Sequence, residues 1–160
     1  MGPDSAVSGE SKAVREAVRA AVRSVESSQA LFGKKAAVIS EIWALVNECA
    51  DPGWDSAGAE PIDRVAAFRA VDLIRALPPA VSLPEVAGEP DGSISIDWIA
   101  SRNRLFSLSV GAADRLDYAW IDGSNRGHGV DRFDGETIPP RILQGIREIL
   151  KYGDAPLGPA

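Results

Sequence analysis

The 160-residue chain is 45% apolar and 25% charged, so wholesale disorder is excluded, and its length fits a single domain. Its net charge of −6 sets up a field that opposes polyanions and argues against a dedicated nucleic-acid binder. One cysteine, Cys49, and one histidine, His128, rule out an internal disulfide and zinc sites built on two or four cysteines.

The charge is uneven. Residues 1–50 carry six basic and six acidic side chains and are neutral, so residues 51–160 hold the whole −6. An acidic body suits solubility or a basic protein partner. Glu41 interrupts the most hydrophobic stretch, Ala36 to Val46, so no spanning helix is expected. The opening Met1-Gly2-Pro3-Asp4-Ser5 lacks the charged and apolar regions of a secretory signal. The cytoplasm is the expected compartment.

Residues 1–10 are small and polar and read as a disordered start. A first helix is predicted over 11–27, where Val14, Val18, Val22 and Val25 recur on one face. Valine is a mediocre helix former, so this helix requires docking against its own domain or a second copy. Ser27-Ser28-Gln29 and Gly33 read as a break. A second helix is predicted over 35–50, with Val38, Ile39, Ile42, Trp43, Leu45, Val46 and Cys49 as a wide apolar face. Residues 11–50 thus read as a helical hairpin or extension ahead of an α+β domain at 51–152, with 153–160 as a tail.

Asp51-Pro52-Gly53 is a turn, and Pro61 suits the first turn of a third helix running to Leu77. Apolar residues surround that helix almost completely, which places it between the sheet and the preceding helices. After a proline-rich connector the period changes to two. Ile94, Ile96 and Trp98, then Phe106, Leu108 and Val110, then Leu116, Tyr118 and Trp120 mark three half-buried strands joined by short turns. A weaker fourth strand spans Gly127 to Phe133. Ile138-Pro139-Pro140 opens a final helix. The predicted class is α+β: an antiparallel three- to four-stranded meander packed against helices, with an N-terminal helical extension.

Chemistry-bearing patterns are sparse. No nucleophile elbow accompanies His128, although Ser124, Asp131 and Asp134 lie near it in sequence. Asp122-Gly123-Ser124-Asn125-Arg126-Gly127 superficially matches a calcium loop, but Arg126 stands at a ligand position and Phe133 stands where the bidentate glutamate belongs. Gly123, Gly127 and Gly129 lack a following helix and a Gly-Lys-Ser/Thr, so they read as turns and strand bends. Asp131, Asp134 and Glu136 read as a solvated acidic loop. No catalytic residue, cofactor or metal site is predicted.

Candidate interaction residues fall in two places. Lys12, Arg15, Arg19 and Arg23 form a basic stripe along the first helix, suited to an acidic surface or to phosphates. Trp54 and Asp55 follow a turn. Their structural reading is a core plug and a local cap, and their functional reading is a recognition anchor.

Gly53-Trp54-Asp55-Ser56-Ala57-Gly58-Ala59-Glu60-Pro61-Ile62 resembles the Trp-Asp-Gly-x-Gly-Ala-x-Pro signature of small, uncharacterised bacterial proteins. Leu77-Pro78, Pro84-Glu85, Pro90-Asp91-Gly92 and Asp97-Trp98 extend the resemblance over about residues 51–150. Ser56 and Ala57 depart from the pattern. The resemblance implies a shared α+β fold and a mobile, phage-related or toxin–antitoxin setting. It implies no activity.

Three functions follow as expectations. The first is a non-enzymatic protein-binding module of antitoxin, immunity or inhibitor type, or a homodimer through the N-terminal helices. The second is a small-molecule-binding domain or enzyme whose site is assembled from loop residues such as Trp54, Asp55, His128 and Asp131. The third is a nucleic-acid contact through the basic face of the first helix.

Overall fold

The period-two segments do pair as a meander. A computed structural model describes residues 4–151, with side chains from Ser11 onward. It contains a five-stranded antiparallel sheet in the order β1 (Glu85–Gly88), β2 (Ile94–Ser101), β3 (Arg104–Val110), β4 (Arg115–Asp122) and β5 (Asn125–Arg132). The class is α+β. The sheet has one strand more than the upper end of the predicted range, because Glu85–Gly88 pairs with β2 across the Glu89–Ser93 turn. Four residues among prolines carry too little alternation to be read as a strand.

Three helices accompany the sheet: α1 (Asp4–Glu48), α2 (Arg64–Ala76) and α3 (Pro140–Leu150). The expected hairpin within residues 11–50 is not formed. α1 continues unbroken through Ser27-Ser28-Gln29 and Gly33, and it already includes residues 4–10, expected to be disordered. Serine and glycine each cost a helix about 1 kcal/mol or less relative to alanine, which weakens it without ending it as proline would. Residues 1–3 and the predicted tail at 153–160 lie outside the described residues.

α2 starts at Arg64, later than its proline suggested. Pro61 and Ile62 stay outside the helix, because the Ile62 N–H donates to the Cys49 carbonyl and the Asp63 N–H to the Gly92 carbonyl. Asp63 is the N-cap, and its Oδ1 accepts from the N–H groups of Val65 at 2.7 Å and Ala66 at 3.1 Å. At the other end Lys35 Nζ donates to the Arg75 and Leu77 carbonyls at 2.9 and 2.7 Å. Burial lowers the Lys35 pKa. Pro139-Pro140 opens α3, as predicted.

The chain divides into two compact units, Met1–Lys34 and Lys35–Ala160. In the second, the inward phase of the strands (Ile94, Ile96, Trp98, Phe106, Leu108, Val110, Leu116) meets Ala70, Leu73 and Ile74 of α2 and Ile142, Ile146 and Ile149 of α3. Val38 and Ile42 of α1 join this core. Trp43 meets Phe68 edge-on at 4.9 Å, but Val65 and Phe68 stay 53% and 56% exposed, so the second side of α2 is covered only in part. Cys49 is buried, and burial, then Glu48, raises its thiol pKa. No helix among the described residues is long and apolar enough to cross a membrane.

Candidate interaction surfaces

The loop carrying Trp54 and Asp55 is built from its own side chains. Asp55 Oδ1 accepts from the N–H groups of Ala57 at 2.8 Å and Ala59 at 2.9 Å. These bonds, Ala57's first, hold its carboxyl below the ordinary value. The turn they close needs positive φ at Gly53, Ser56 and Gly58. Trp54 donates its indole N–H to the Glu60 carbonyl at 2.7 Å and packs half-buried against the core. Its ring rests over Gly88, where a Cβ would lie 3.5 Å from it and 2.9 Å from Ile62. Trp54 thus fastens the 51–63 connection to β1, and Asp55 closes the turn within that connection.

The basic residues Lys12, Arg15, Arg19 and Arg23 are all exposed on α1. At 100° per residue they lie about a third of a turn round from the valines. Val14, Val18, Val22, Val25 and Phe32 are 49–76% exposed. An apolar stripe of about five turns therefore faces solvent beside a basic one.

The outward phase of the sheet forms the third surface. Register places Ile99, Leu105 and Ile121 side by side on β2, β3 and β4. The next row is Glu85, Asp97, Ser107, Ala119 and His128, and the one after it is Ala87, Ser95, Ser109, Asp117 and Val130. Asp97 accepts from the hydroxyls of Ser95 at 2.8 Å and Ser107 at 2.5 Å. Glu89 accepts from Ser109 at 2.6 Å and also meets the Ser93 hydroxyl. The Ser93 hydroxyl also lies 2.5 Å from Asp91, and with the Ser93 N–H it lowers the Asp91 pKa. The strand alternation marks these serines and acids as the polar face. Their clustering depends on register, which the alternation does not reveal.

The glycines 127 and 129 are strand residues in β5, not bends. A Cβ at Gly127 would lie 2.7 Å from the Trp120 indole, and one at Gly129 would lie 2.4 Å from Tyr118 Oη. The two rings lie over the glycine backbone from the neighbouring strand, filling space the glycines leave empty. Gly123 (φ 65°) opens the two-residue β4–β5 turn, so the calcium-like segment is a hairpin. Asp134 accepts from the N–H groups of Thr137 and Glu136, which lower its pKa in that order.

Trp54, Asp55, His128 and Asp131 do not meet. Trp54 packs over β1, whereas His128 and Asp131 lie on β5 at the opposite edge, about 19 Å away at ordinary strand spacing. His128 and Asp131 point to opposite faces by alternation. A cleft of about 290 Å³ lies between the β4–β5 turn and α3, lined by Trp120, Asp122 and Glu148. Both carboxylates are engaged, Asp122 by Arg104 Nε at 2.9 Å and Glu148 by Gln144 Nε2 at 3.1 Å, and Arg104 Nη2 donates to the Glu148 carbonyl. Among the described residues no group of three His, Cys, Asp or Glu side chains is placed to hold a metal ion.

No protein-family model, curated protein or solved structure matches this chain. The reading of function therefore rests on its surfaces.

Proposed function

We propose that this protein is a non-enzymatic protein-binding module whose recognition element is the amino-terminal part of α1. The observation that carries the reading is the stripe of Val14, Val18, Val22, Val25 and Phe32, five large apolar side chains 49–76% exposed along one helix. Most helical stability in proteins comes from packing an amphipathic face, and the valines that form this face add little intrinsic propensity of their own. Burying the exposed half of each side chain contributes about 1 kcal/mol, or about 10 kcal/mol across a helix pair, which is of the order of the cost of association.

The occupant is another apolar helix face, belonging to a second copy or to a different protein. Lys12, Arg15, Arg19 and Arg23 border the stripe and favour acidic residues on that helix. The acidic body, at −6 over residues 51–160, favours a basic partner surface in the same complex. The Trp54–Pro61 signature adds the bacterial or phage conflict setting, in which an antitoxin, immunity or inhibitor protein works by such complementarity.

The test is affinity capture from the source cell alongside sedimentation of the purified chain, comparing wild type with Val18→Glu/Val25→Glu. Wild type is expected to form a stoichiometric complex, with self or with another protein, that the variant does not form. A variant that forms the same complexes as wild type, or no complex with wild type, refutes the proposal.

A further inference from the structure

Independently of α1, we infer that the open face of the sheet is a self-association surface, which pairs with a second copy across a two-fold axis running along β3. The face combines exposed apolar residues with a division of charge. Ile99 is 53%, Ile121 38% and Val130 50% exposed, and Leu105 lies half-buried between the two isoleucines. Glu85, Glu89 and Asp97 stand on the β1–β2 side, whereas Arg126 and Arg132 stand on β5. On the β4–β5 side Asp117 pairs with Arg115 at 2.6 Å and Asp114 with Arg132 at 3.5 Å, both pairs exposed, so Arg126 leaves that side net positive.

This division selects the occupant. A uniformly basic partner would oppose Arg126 and Arg132, and a uniformly acidic one would oppose Glu85, Glu89 and Asp97. The surface required has the reverse order of charge with an apolar row at one end, and this face has that order when turned over. Rotation by 180° about an axis along β3 keeps every row and exchanges β1 with β5 and β2 with β4. Leu105 then meets Leu105 of the second copy, and Ile99 meets its Ile121. Glu85 approaches its His128, Ala87 its Val130, and Glu89 the end of the strand that carries its Arg132. The strands of the two copies stay near alignment, as in face-to-face sheets, whose directions agree within about 30°.

The size is also adequate. Four strands of seven or eight residues and the four-residue β1, at ~4.8 Å spacing and ~3.3 Å per residue, give roughly 550 Å² in plan, before side-chain relief. Standard interfaces bury about 800 Å² of accessible surface per partner. The arrangement is isologous, so one residue lying on the axis meets its own copy.

The test uses that property in the full chain carrying Val18→Glu/Val25→Glu, which removes association through α1. Sedimentation velocity over a wide concentration range is expected to show a dimer for this parent. Leu105→Asp and Leu105→Arg are each expected to weaken it at least tenfold, since like charges then meet on the axis. An equimolar mixture of the two is expected to restore dimers at close to the parent's strength, as mixed pairs. Should either variant lose the parent's circular dichroism, Ile99→Lys and Ile121→Glu replace them, each weakening the dimer alone and restoring it when combined in one chain. A monomeric parent, variants that associate like the parent, or a mixture that stays monomeric overturns the inference. Failure here leaves the α1 proposal standing, because that is tested in the chain with wild-type valines.

Discussion

Replacing Gly145 by alanine sets two known effects against each other. Glycine inside a helix costs about 1 kcal/mol relative to alanine, so propensity alone predicts stabilisation. Packing predicts the opposite. A Cβ at Gly145 would lie 2.6 Å from Phe106 Cε2 and 3.2 Å from Cδ2, where carbon contacts prefer about 3.5–4.0 Å. Phe106 cannot yield easily. It is 1% exposed, stacked on Tyr118 at 5.7 Å and edge-on to Trp98 at 6.3 Å. Overpacking of this kind costs about 1–3 kcal/mol, so the net effect is a loss of up to about 2 kcal/mol after the propensity gain. For a chain of this size that lowers the melting temperature by up to about 8 °C. Gly33→Ala is the control, because nothing lies within 4 Å of its added Cβ. It is expected to raise the helical signal of α1 on heating and to leave the body's midpoint no lower. Urea denaturation followed by tryptophan fluorescence, with circular dichroism at 222 nm, reads both. If Gly145→Ala stabilises the body, α3 does not approach β3 as closely as the inferred packing requires.

Two further outcomes follow from the caps and turns. Asp63→Ala removes the acceptor for two N–H groups of α2 and should cost about 1 kcal/mol in urea, while Asp63→Ser should recover most of it. Asp55, Asp91 and Asp134 each have a carboxyl pKa lowered by hydrogen bonds in the folded chain. The unfolded chain therefore binds more protons in acid, and these groups' contribution is complete above an unfolded carboxyl pKa of about 3.9 and lost as pH falls through their lower folded values. The urea midpoint should be nearly flat from neutrality to about pH 5 and fall below about pH 4, more shallowly in Asp55→Asn/Asp134→Asn. A midpoint that rises on acidification would show that these bonds do not favour the charged forms.

The fold was legible where a single period runs long enough. Ile94-x-Ile96-x-Trp98, Phe106-x-Leu108-x-Val110 and Ile142 through Ile149 all carry their burial in sequence, and the structure buries each of them. Legibility failed where one interaction outweighed a local signal. Pro61 suits a helix start, yet two backbone bonds, from Ile62 to Cys49 and from Asp63 to Gly92, keep the chain out of the helix until Asp63 can cap. Gly127 and Gly129 look like bends because the reason for them, the rings of Tyr118 and Trp120, stands on another strand. The clustered serines and carboxylates were visible only as polar alternation, since Glu89 reaches Ser109 across twenty positions of sequence.

The candidate surfaces divide along the same line, for a physical reason. A helix presents its stripe within one stretch of chain, so Val14 to Val25 could be read directly, and only the apparent break hid its continuation to Phe32. A sheet face is assembled across strands. Ile99, Leu105 and Ile121 each occupy the outward phase, where Asp97, Ser107 and Asp117 mark solvent. One apolar residue out of phase is ordinary at a protein surface, and each of the three alone carries no message. Register turns them into a contiguous row, and contiguity is what water penalises and what a partner sheet relieves. The informative sequence signal is thus three strands breaking phase at the same height, which can be recognised only once neighbouring turns have set how the strands align.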